Sequence, residues 1–229
     1  MQKPVVARDV YLDRIDGLLY GTAPSEGIVR DRIFAHPVLR IRFEVPPGFR
    51  IFNTPNRVYA VRQRDSLIVF DMAERPVDGS MLDYVTEVWA HQFALSDVQQ
   101  ITVNGLEAAT GRTQVNTNRG FMELRLVAIR VDARHIYRFR FLTRTGSTEQ
   151  ISGDIGRTIY SFRTLSEHEA ASLKPLRVRI VNVKSGETER DLAQRMALDD
   201  LKLDWFRVLN GLTGEERLEP GRRVKLVTE

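Results

Sequence analysis

The sequence predicts an α+β protein, in which an antiparallel-sheet domain with flanking helices is followed by a small domain of the order strand, helix, helix, strand. Three observations lead to this prediction. Apolar side chains alternate with polar ones in much of the stretch between residues 38 and 141, which is typical of half-buried strands. Helical spacing of apolar residues appears near residues 81–93 and 151–162. Finally, two amphipathic segments lie between two strand-like runs in residues 177–229.

Residues 1–30 are predicted to form an N-terminal helix and a linker. An amphipathic stretch covers residues 10–20, and a run rich in glycine, serine and proline follows it. The apolar face of this helix must pack on a neighbour, and one candidate for that neighbour is a segment outside this chain.

The sheet domain is predicted over residues 31–173. After the alternating residues 39–45, a Pro-Pro-Gly turn leads into short strands at 49–52, 58–62 and 67–70. A helix is expected from 81 to 93, because Ser80 can cap it and Asp83 lies at the favourable end of its dipole.

The second half of this domain continues the same sheet. Strands are predicted at 98–103, 106–115, 121–131 and 135–141, and the Asn104-Gly105 pair favours a type I′ hairpin. A helix follows, with Ile151, Ile155, Ile159 and Phe162 on one stripe. Ser166 and Glu169 then form a predicted capping box, and Pro175 marks the domain boundary.

Charge and composition exclude several classes of protein. The 34 basic and 30 acidic residues largely compensate one another, so no nucleic-acid partner is expected. Arginines alternate along predicted strands, as at Arg138 and Arg140, which indicates a solvated strand face. Disulfides and cysteine chemistry are excluded because there is no cysteine. No apolar run approaches the roughly 20 residues of a membrane-spanning helix.

The residues needed for catalysis do not occur in recognisable patterns. The four histidines form no His-Glu-x-x-His motif, and the pair Glu87 and His91 supplies only two potential metal ligands. There is no serine nucleophile elbow and no phosphate-binding loop, and residues 146–147 and 152–154 are interpreted as turns. We therefore predict no catalytic residue, metal site or cofactor in this chain.

Residues 177–229 carry the most specific pattern in the sequence. Thr188 and Asp191 can cap the first helix, and Leu192, Met196 and Leu198 are expected to face inward from it. Trp205, Val208 and Leu209 are expected to face inward from the second helix. Gly211 supplies the positive φ with which helices commonly end, and Pro220-Gly221 forms the turn into the last strand.

This segment resembles the LysM family. The matching residues are Ser185-Gly186-Glu187-Thr188, Leu192-Ala193, Leu209-Asn210-Gly211-Leu212 and Leu218-Glu219-Pro220-Gly221-Arg222-Arg223-Val224. The resemblance implies binding of N-acetylglucosamine-containing glycans, chiefly peptidoglycan and chitin, in a groove between the first loop and the loop after the second helix. The residues that it implies for this groove are Gly186, Glu187, Thr188, Asn210, Gly211 and Leu212.

Two residues depart from the LysM pattern. Glu187 replaces the usual aspartate, and Glu189 occupies a position that is normally apolar. A carboxylate at Glu189 weakens apolar contact with sugar rings. Two interpretations therefore stay open, namely a glycan-binding module and a LysM fold that serves as a spacer or protein contact.

A second resemblance covers more of the chain. Residues 11–21, 27–30, 34–37 and 43–49, together with the LysM-like tail, resemble the C-terminal half of bacterial HtpX/BepA-like zinc metallopeptidases. In such proteins the zinc ligands lie upstream of this segment, so zinc is expected only in an upstream catalytic domain. The entry into the middle domain and its order of sheet and helix also resemble the PsbP-like fold.

These resemblances imply a non-catalytic region of a periplasmic or envelope-associated metallopeptidase. Its expected partners are the upstream protease domain, envelope substrate proteins and peptidoglycan. The alternative is a stand-alone structural or regulatory protein of the envelope that binds peptidoglycan or a partner protein. Whether Met1 is the native start separates the two hypotheses.

Overall fold

The computed structural model describes residues 7–62, 66–75, 77–118, 120–146, 148–214 and 217–229, with the backbone alone for 148–151. The described α-helices are α1 (Arg8–Ile15), α2 (Met81–Asp83), α3 (Thr148–Ser161), α4 (Glu167–Ser172), α5 (Glu189–Gln194) and α6 (Lys202–Asn210). The described strands are β1 (Ile28–Arg30), β2 (Ile33–His36), β3 (Ile41–Glu44), β4 (Arg50–Asn53), β5 (Val58–Arg62), β6 (Ser66–Met72), β7 (Ser96–Val103), β8 (Leu106–Thr117), β9 (Gly120–Arg130), β10 (Ile136–Arg144), β11 (Arg163–Thr164), β12 (Arg177–Asn182) and β13 (Arg223–Thr228).

Contacts divide the chain into two compact units, here called the sheet unit (Ser25–Leu173) and the terminal unit (Met1–Pro24 with Lys174–Glu229). The N-terminal segment thus groups with the C-terminal residues, whereas the sequence suggested a separate segment over residues 1–30. Backbone hydrogen bonds explain the grouping. The N–H of Gly17 donates to the carbonyl of Val178 at 2.8 Å, and the N–H of Tyr20 donates to that of Leu176 at 2.7 Å.

The sheet unit contains two antiparallel sheets, so its predicted α+β class with antiparallel strands is confirmed. Seven strands run in the order β4-β5-β6-β10-β9-β8-β7, and four run in the order β1-β2-β3-β11. The strands predicted from 49–52 to 135–141 thus lie in one continuous sheet as expected, but the strand predicted at 39–45 belongs to the smaller sheet. The main core contains Phe43 from the smaller sheet, Phe70 and Phe139 from the larger one, and Ile159 from α3.

Local signals in the sheet unit correspond closely to the structure. Asn104 and Gly105 both have positive φ, at 48° and 84°, as the predicted type I′ hairpin requires. Ile155, Ile159 and Phe162 are buried, while the side chain of Ile151 lies outside the described ones. The turn predicted at 152–154 is wrong because these residues lie within α3, and Ser147 is outside the described residues.

The helix predicted at 81–93 is shorter than expected and changes its winding. Ser80 and Asp83 form the predicted capping box at the start of α2. From Tyr84 to Trp89 the chain forms a π-helical turn, in which the N–H of Ala90 donates to the carbonyl of Val85, five residues earlier, at 3.0 Å. One face of the seven-stranded sheet packs in the main core. This widened turn lies on the opposite face, here called the second face, and Trp89 contacts it.

In the terminal unit, β12 and β13 pair antiparallel and α5 and α6 lie between them in the chain. Leu192 and Met196 are fully buried as predicted. The inward face predicted for α6 is wrong at Trp205 and Val208, which are 42% and 70% exposed, whereas Phe206 is fully buried. The helix begins at Lys202, and its inward stripe at i, i+3 and i+6 is Leu203, Phe206 and Leu209.

Candidate functional site

A surface groove in the terminal unit runs between the loop that precedes α5 and the loop that follows α6. Its volume is about 1050 Å³. The described residues that line it are Ser185, Gly186, Glu187, Thr188, Glu189, Arg190, Leu203, Arg207, Gly214, Arg217, Leu218, Glu219 and Pro220. Three of the residues implied by the LysM resemblance, Gly186 to Thr188, are thus brought together in one groove.

The side chains of Glu187 and Thr188 in this first loop also have local structural roles. The N–H of Lys184 donates to Oε2 of Glu187 at 2.7 Å, and Arg195 donates to Oε1 of Glu187 at 3.2 Å. Thr188 caps α5 in the predicted capping box with Asp191. The hydrogen bonds from Thr188 lower the pKa of the Asp191 carboxyl, so this carboxylate keeps its charge at the helix start.

The other three implied residues, Asn210 to Leu212, do not line the groove. The Asn210 amide joins the end of α6 to β13, since its Nδ2 donates to the carbonyls of Phe206 and Lys225 and its Oδ1 accepts from the N–H of Lys225. Gly211 ends α6 in the left-handed conformation at φ 63°. Leu212 is buried in the core of the unit. Asn210, Gly211 and Leu212 therefore stabilise the fold of the terminal unit, in which the groove lies.

An ion pair that the sequence analysis missed crosses the groove. The Nε of Arg207 lies 2.7 Å from Oε2 of Glu189, and the side chain of Glu189 is only 11% exposed. The other carboxylate oxygen, Oε1, is buried without a hydrogen bond from any described residue. Arg207 therefore compensates the carboxylate that departs from the LysM pattern.

The groove is lined by both apolar and polar residues. Its apolar lining residues are Leu203, Leu218 and Pro220, and its cationic lining residues include Arg190 and Arg217. Ligand sites typically combine an apolar surface with a few fixed polar groups in this way. Within the described ranges, no set of three or more histidine and carboxylate side chains is arranged to hold a metal ion. The mixture of apolar and charged residues in the groove is suited to binding a ligand.

A second cluster of polar side chains lies on the sheet unit, around Asp71 of β6. Its carboxylate is 4% exposed and accepts from Nε of Arg138 at 2.7 Å and from Arg140 at 2.8 Å. The Nε of Arg57 lies 3.7 Å away. The guanidinium carbons of Arg138 and Arg140 lie 5.4 and 5.1 Å from the centre of the Trp89 ring.

This cluster corrects the expectation of a solvated strand face at β10. The side chains of Arg138 and Arg140 are only 15% and 26% exposed. Burial alone lowers the pKa of the Arg138 guanidinium, but the hydrogen bond and charge of Asp71 outweigh it and raise that pKa. An aspartate that ends the apolar run 67–70 was the available sequence signal, although nothing in the sequence identifies its partners.

A pocket of about 810 Å³ opens beside this cluster, at the end of β6. His36 lines it with its side chain almost fully buried, and the N–H of Leu39 donates to Nδ1 of His36 at 3.1 Å. Burial lowers the pKa of His36, against a smaller raising effect from the backbone carbonyls of Ser25 and His36. Burial also raises the pKa of Tyr137, another lining residue, to about 12.

No protein-family model and no curated protein matches the sequence. Several solved structures are similar in arrangement. CyanoP of Synechocystis sp. PCC 6803 has a TM-score of 0.44 and 15% identity over 63% of this chain and 98% of its own. LpqN of Mycobacterium tuberculosis, which is involved in cell envelope biogenesis, has a TM-score of 0.41 and 11% identity over 55% of this chain and 83% of its own.

A protein from Bacteroides thetaiotaomicron VPI-5482 has a TM-score of 0.46 and 8% identity over 85% of this chain and 65% of its own. All three TM-scores are below 0.5. In the described part of the chain, no helix has the length and apolar character needed to span a membrane.

Proposed function

We propose that this chain is a non-catalytic binding and positioning region of a cell-envelope protein, and that its terminal unit is a LysM-like module that binds N-acetylglucosamine-containing glycan. The observation that carries this proposal is the groove between the loop before α5 and the loop after α6. It lies where the LysM resemblance implies a sugar site, although the loop after α6 contributes different residues from those implied.

The ion pair between Glu189 and Arg207 supports glycan binding. A free carboxylate in the groove would oppose contact with the apolar face of a sugar ring, because it would lose water without gaining a partner. Arg207, at 2.7 Å from Oε2, offsets part of this cost within the protein itself. Partly exposed Leu203 and exposed Pro220 supply apolar surface against which a sugar ring can pack.

The proposed context is a periplasmic or envelope-associated zinc metallopeptidase of the HtpX/BepA-like kind, with a PsbP-like sheet unit. Zinc and the catalytic residues would belong to an upstream domain. The reading frame upstream of residue 1 tests this proposal. A His-Glu-x-x-His motif in frame supports it, whereas chelator-sensitive cleavage of casein by the purified chain itself would contradict the non-catalytic role.

Sedimentation with purified peptidoglycan sacculi tests the binding role. The full chain is expected to sediment with sacculi, and Ser185→Trp, which places a bulky ring in the groove, is expected to remain in the supernatant. Asn182→Trp introduces the same ring at an exposed position of β12 and serves as the matched control. Equal sedimentation of the two variants would argue against the groove.

A second candidate function is contact with a partner protein through α6. Leu201, Trp205 and Val208 are 64%, 42% and 70% exposed, and the last two lie on one face of the helix. Isolated apolar side chains are ordinary on surfaces, but a cluster indicates an interaction site. Val208→Lys would weaken such a contact and leave sedimentation with sacculi unchanged, which separates this function from glycan binding.

A further inference from the structure

The second face of the seven-stranded sheet is partly open between the edge strand β4 and the π-helical turn. Cross-strand pairing places Phe52, Tyr59, Val69 and Arg140 in one row on this face, because Phe52 pairs with Tyr59, Tyr59 with Val69, and Val69 with Arg140. Directly paired residues point to the same side of a sheet. Arg50 lies two residues before Phe52 and therefore shares its face.

The open part of this face, here called the arginine–aromatic face, comprises Arg50, Phe52, Arg57, Tyr59 and Arg140. Phe52 is 48% exposed, an unusual position for so large an apolar ring. The guanidinium carbon of Arg50 lies 5.5 Å from the centre of the Phe52 ring. The side chain of Arg57 is 54% exposed. A ligand on this face would meet aromatic rings and guanidinium groups side by side.

The charge on this face is unbalanced. Arg50, Arg57, Arg138 and Arg140 approach it, and among the described carboxylates only Asp71 forms an ion pair with any of them. Asp71 already accepts two close hydrogen bonds from Arg138 and Arg140, and Arg57 lies farther away. Arg57 and Arg50 therefore retain most of their capacity to bind an anionic group.

The apolar residues of this face favour an acidic protein segment over a nucleic acid as its partner. Besides the two rings, Val61 and Leu67 are partly exposed on the same face, and they pair with each other. Aliphatic surface favours contact with apolar side chains, whereas stacking of nucleic-acid bases depends on aromatic platforms. An extended protein segment that alternates carboxylates with apolar side chains matches both the exposed arginines and the aliphatic surface.

We propose that the arginine–aromatic face is a docking surface for an acidic, partly apolar segment of a partner protein. Carboxylates of the segment bind Arg50 and Arg57, and its apolar side chains pack on Phe52 and Tyr59. The surface lies wholly within the sheet unit, so it is independent of the glycan groove in the terminal unit.

Fluorescence anisotropy with a labelled synthetic peptide that alternates glutamate and leucine tests the proposal on the full chain. A peptide with glutamine in place of glutamate should bind on the order of tenfold more weakly, because the carboxylates supply the charge complementarity. The double variant Arg50→Glu with Arg57→Glu should lower the affinity for the acidic peptide by a similar factor. Arg134→Glu reverses the charge of an exposed arginine elsewhere in the sheet unit and should leave it unchanged.

The contradicting outcomes are equally concrete. Equal affinity of the double variant and Arg134→Glu for the acidic peptide would place its binding elsewhere. Tighter binding of an oligothymidylate, or of phosphatidylglycerol vesicles, than of the acidic peptide would identify a general polyanion surface and overturn the proposal. Circular dichroism and thermal unfolding check that the double variant and Arg134→Glu are folded. We expect both to be folded because the changes are at exposed side chains.

Discussion

Arg207 of α6 holds the carboxylate of Glu189, at the start of α5, with an Nε–Oε2 distance of 2.7 Å. The two residues are 18 positions apart in the sequence, and their side chains are 32% and 11% exposed, respectively. Glu189 is the most conspicuous departure from the LysM pattern, and on the proposed glycan-binding role this pair compensates its charge within the groove.

Replacement of Arg207 by methionine should destabilise the terminal unit, because it leaves the mostly buried Glu189 carboxylate without its cation. We expect a loss of about 1–2 kcal/mol in the free energy of unfolding, less than for a fully buried pair because Arg207 is partly exposed. Glu189→Gln added to Arg207→Met should recover part of the loss. Urea unfolding followed by NMR signals of β13 measures the coupling, and strictly additive effects would show that the pair contributes nothing.

Asn210→Ala tests the structural role of an implied site residue. The substitution removes two hydrogen bonds that join α6 to β13 and one within α6, with donor–acceptor distances of 2.7 to 3.0 Å. Stability of the terminal unit should fall by about 2 kcal/mol, while the affinity of the folded protein for chitooligosaccharide stays unchanged. Asn182→Ala, on exposed β12, is the control for stability. A selective loss of sugar binding in a stable Asn210→Ala protein would place this residue in the site.

Asp71→Asn should destabilise the sheet unit, since it leaves the half-buried guanidinium groups of Arg138 and Arg140 without a counter-charge. Removal of one partner from a buried ion pair costs roughly 3 kcal/mol or more. The same change at exposed Asp78 should stay within about 0.5 kcal/mol of wild type. Thermal unfolding of the two variants gives the comparison, and similar stabilities would mean that the arginines do not depend on Asp71.

His36 should make the sheet unit sensitive to mild acid. Burial holds the pKa of His36 in the folded state below its ordinary value of 6.5, so folding favours the neutral ring. The stabilisation is complete above the ordinary pKa and is lost as the pH falls through the lower folded-state pKa. Protonation of Nδ1 also removes the acceptor for the N–H of Leu39.

The measurement is the free energy of unfolding between neutral pH and about pH 5, a range that includes the ordinary histidine pKa. His36→Gln should flatten its pH dependence relative to wild type, whereas His168→Gln, at an exposed position, should not. The same slope in both variants would assign the pH dependence to other groups.

The sequence predicted features that depend on neighbouring residues. Capping boxes at Ser80, Ser166 and Thr188 and the hairpin at Asn104-Gly105 are formed as expected, because each is set by residues within one turn of chain. The predicted inward face of α6 was wrong because the sequence of this helix contains two apolar stripes. Only tertiary contacts determine that the stripe containing Phe206 is the buried one.

Features that depend on distant parts of the chain could not be predicted. The pairing of Leu19 with Arg177, the separation of the strands into two sheets within the sheet unit, and the convergence of arginines on Asp71 all join residues far apart in sequence. For the groove, the motif predicted residues of the first loop, and the structure places three of them in the lining. The lining residues Leu203, Arg207 and Leu218 were found only in the structure.

The most direct test of the proposed glycan site is an NMR titration of the isotope-labelled full chain with chitotetraose. We predict progressive amide shifts at Gly186, Thr188, Leu203 and Leu218, with millimolar or tighter affinity and with the sheet unit unaffected. The absence of any shift in the terminal unit at millimolar chitotetraose would contradict glycan binding at this groove.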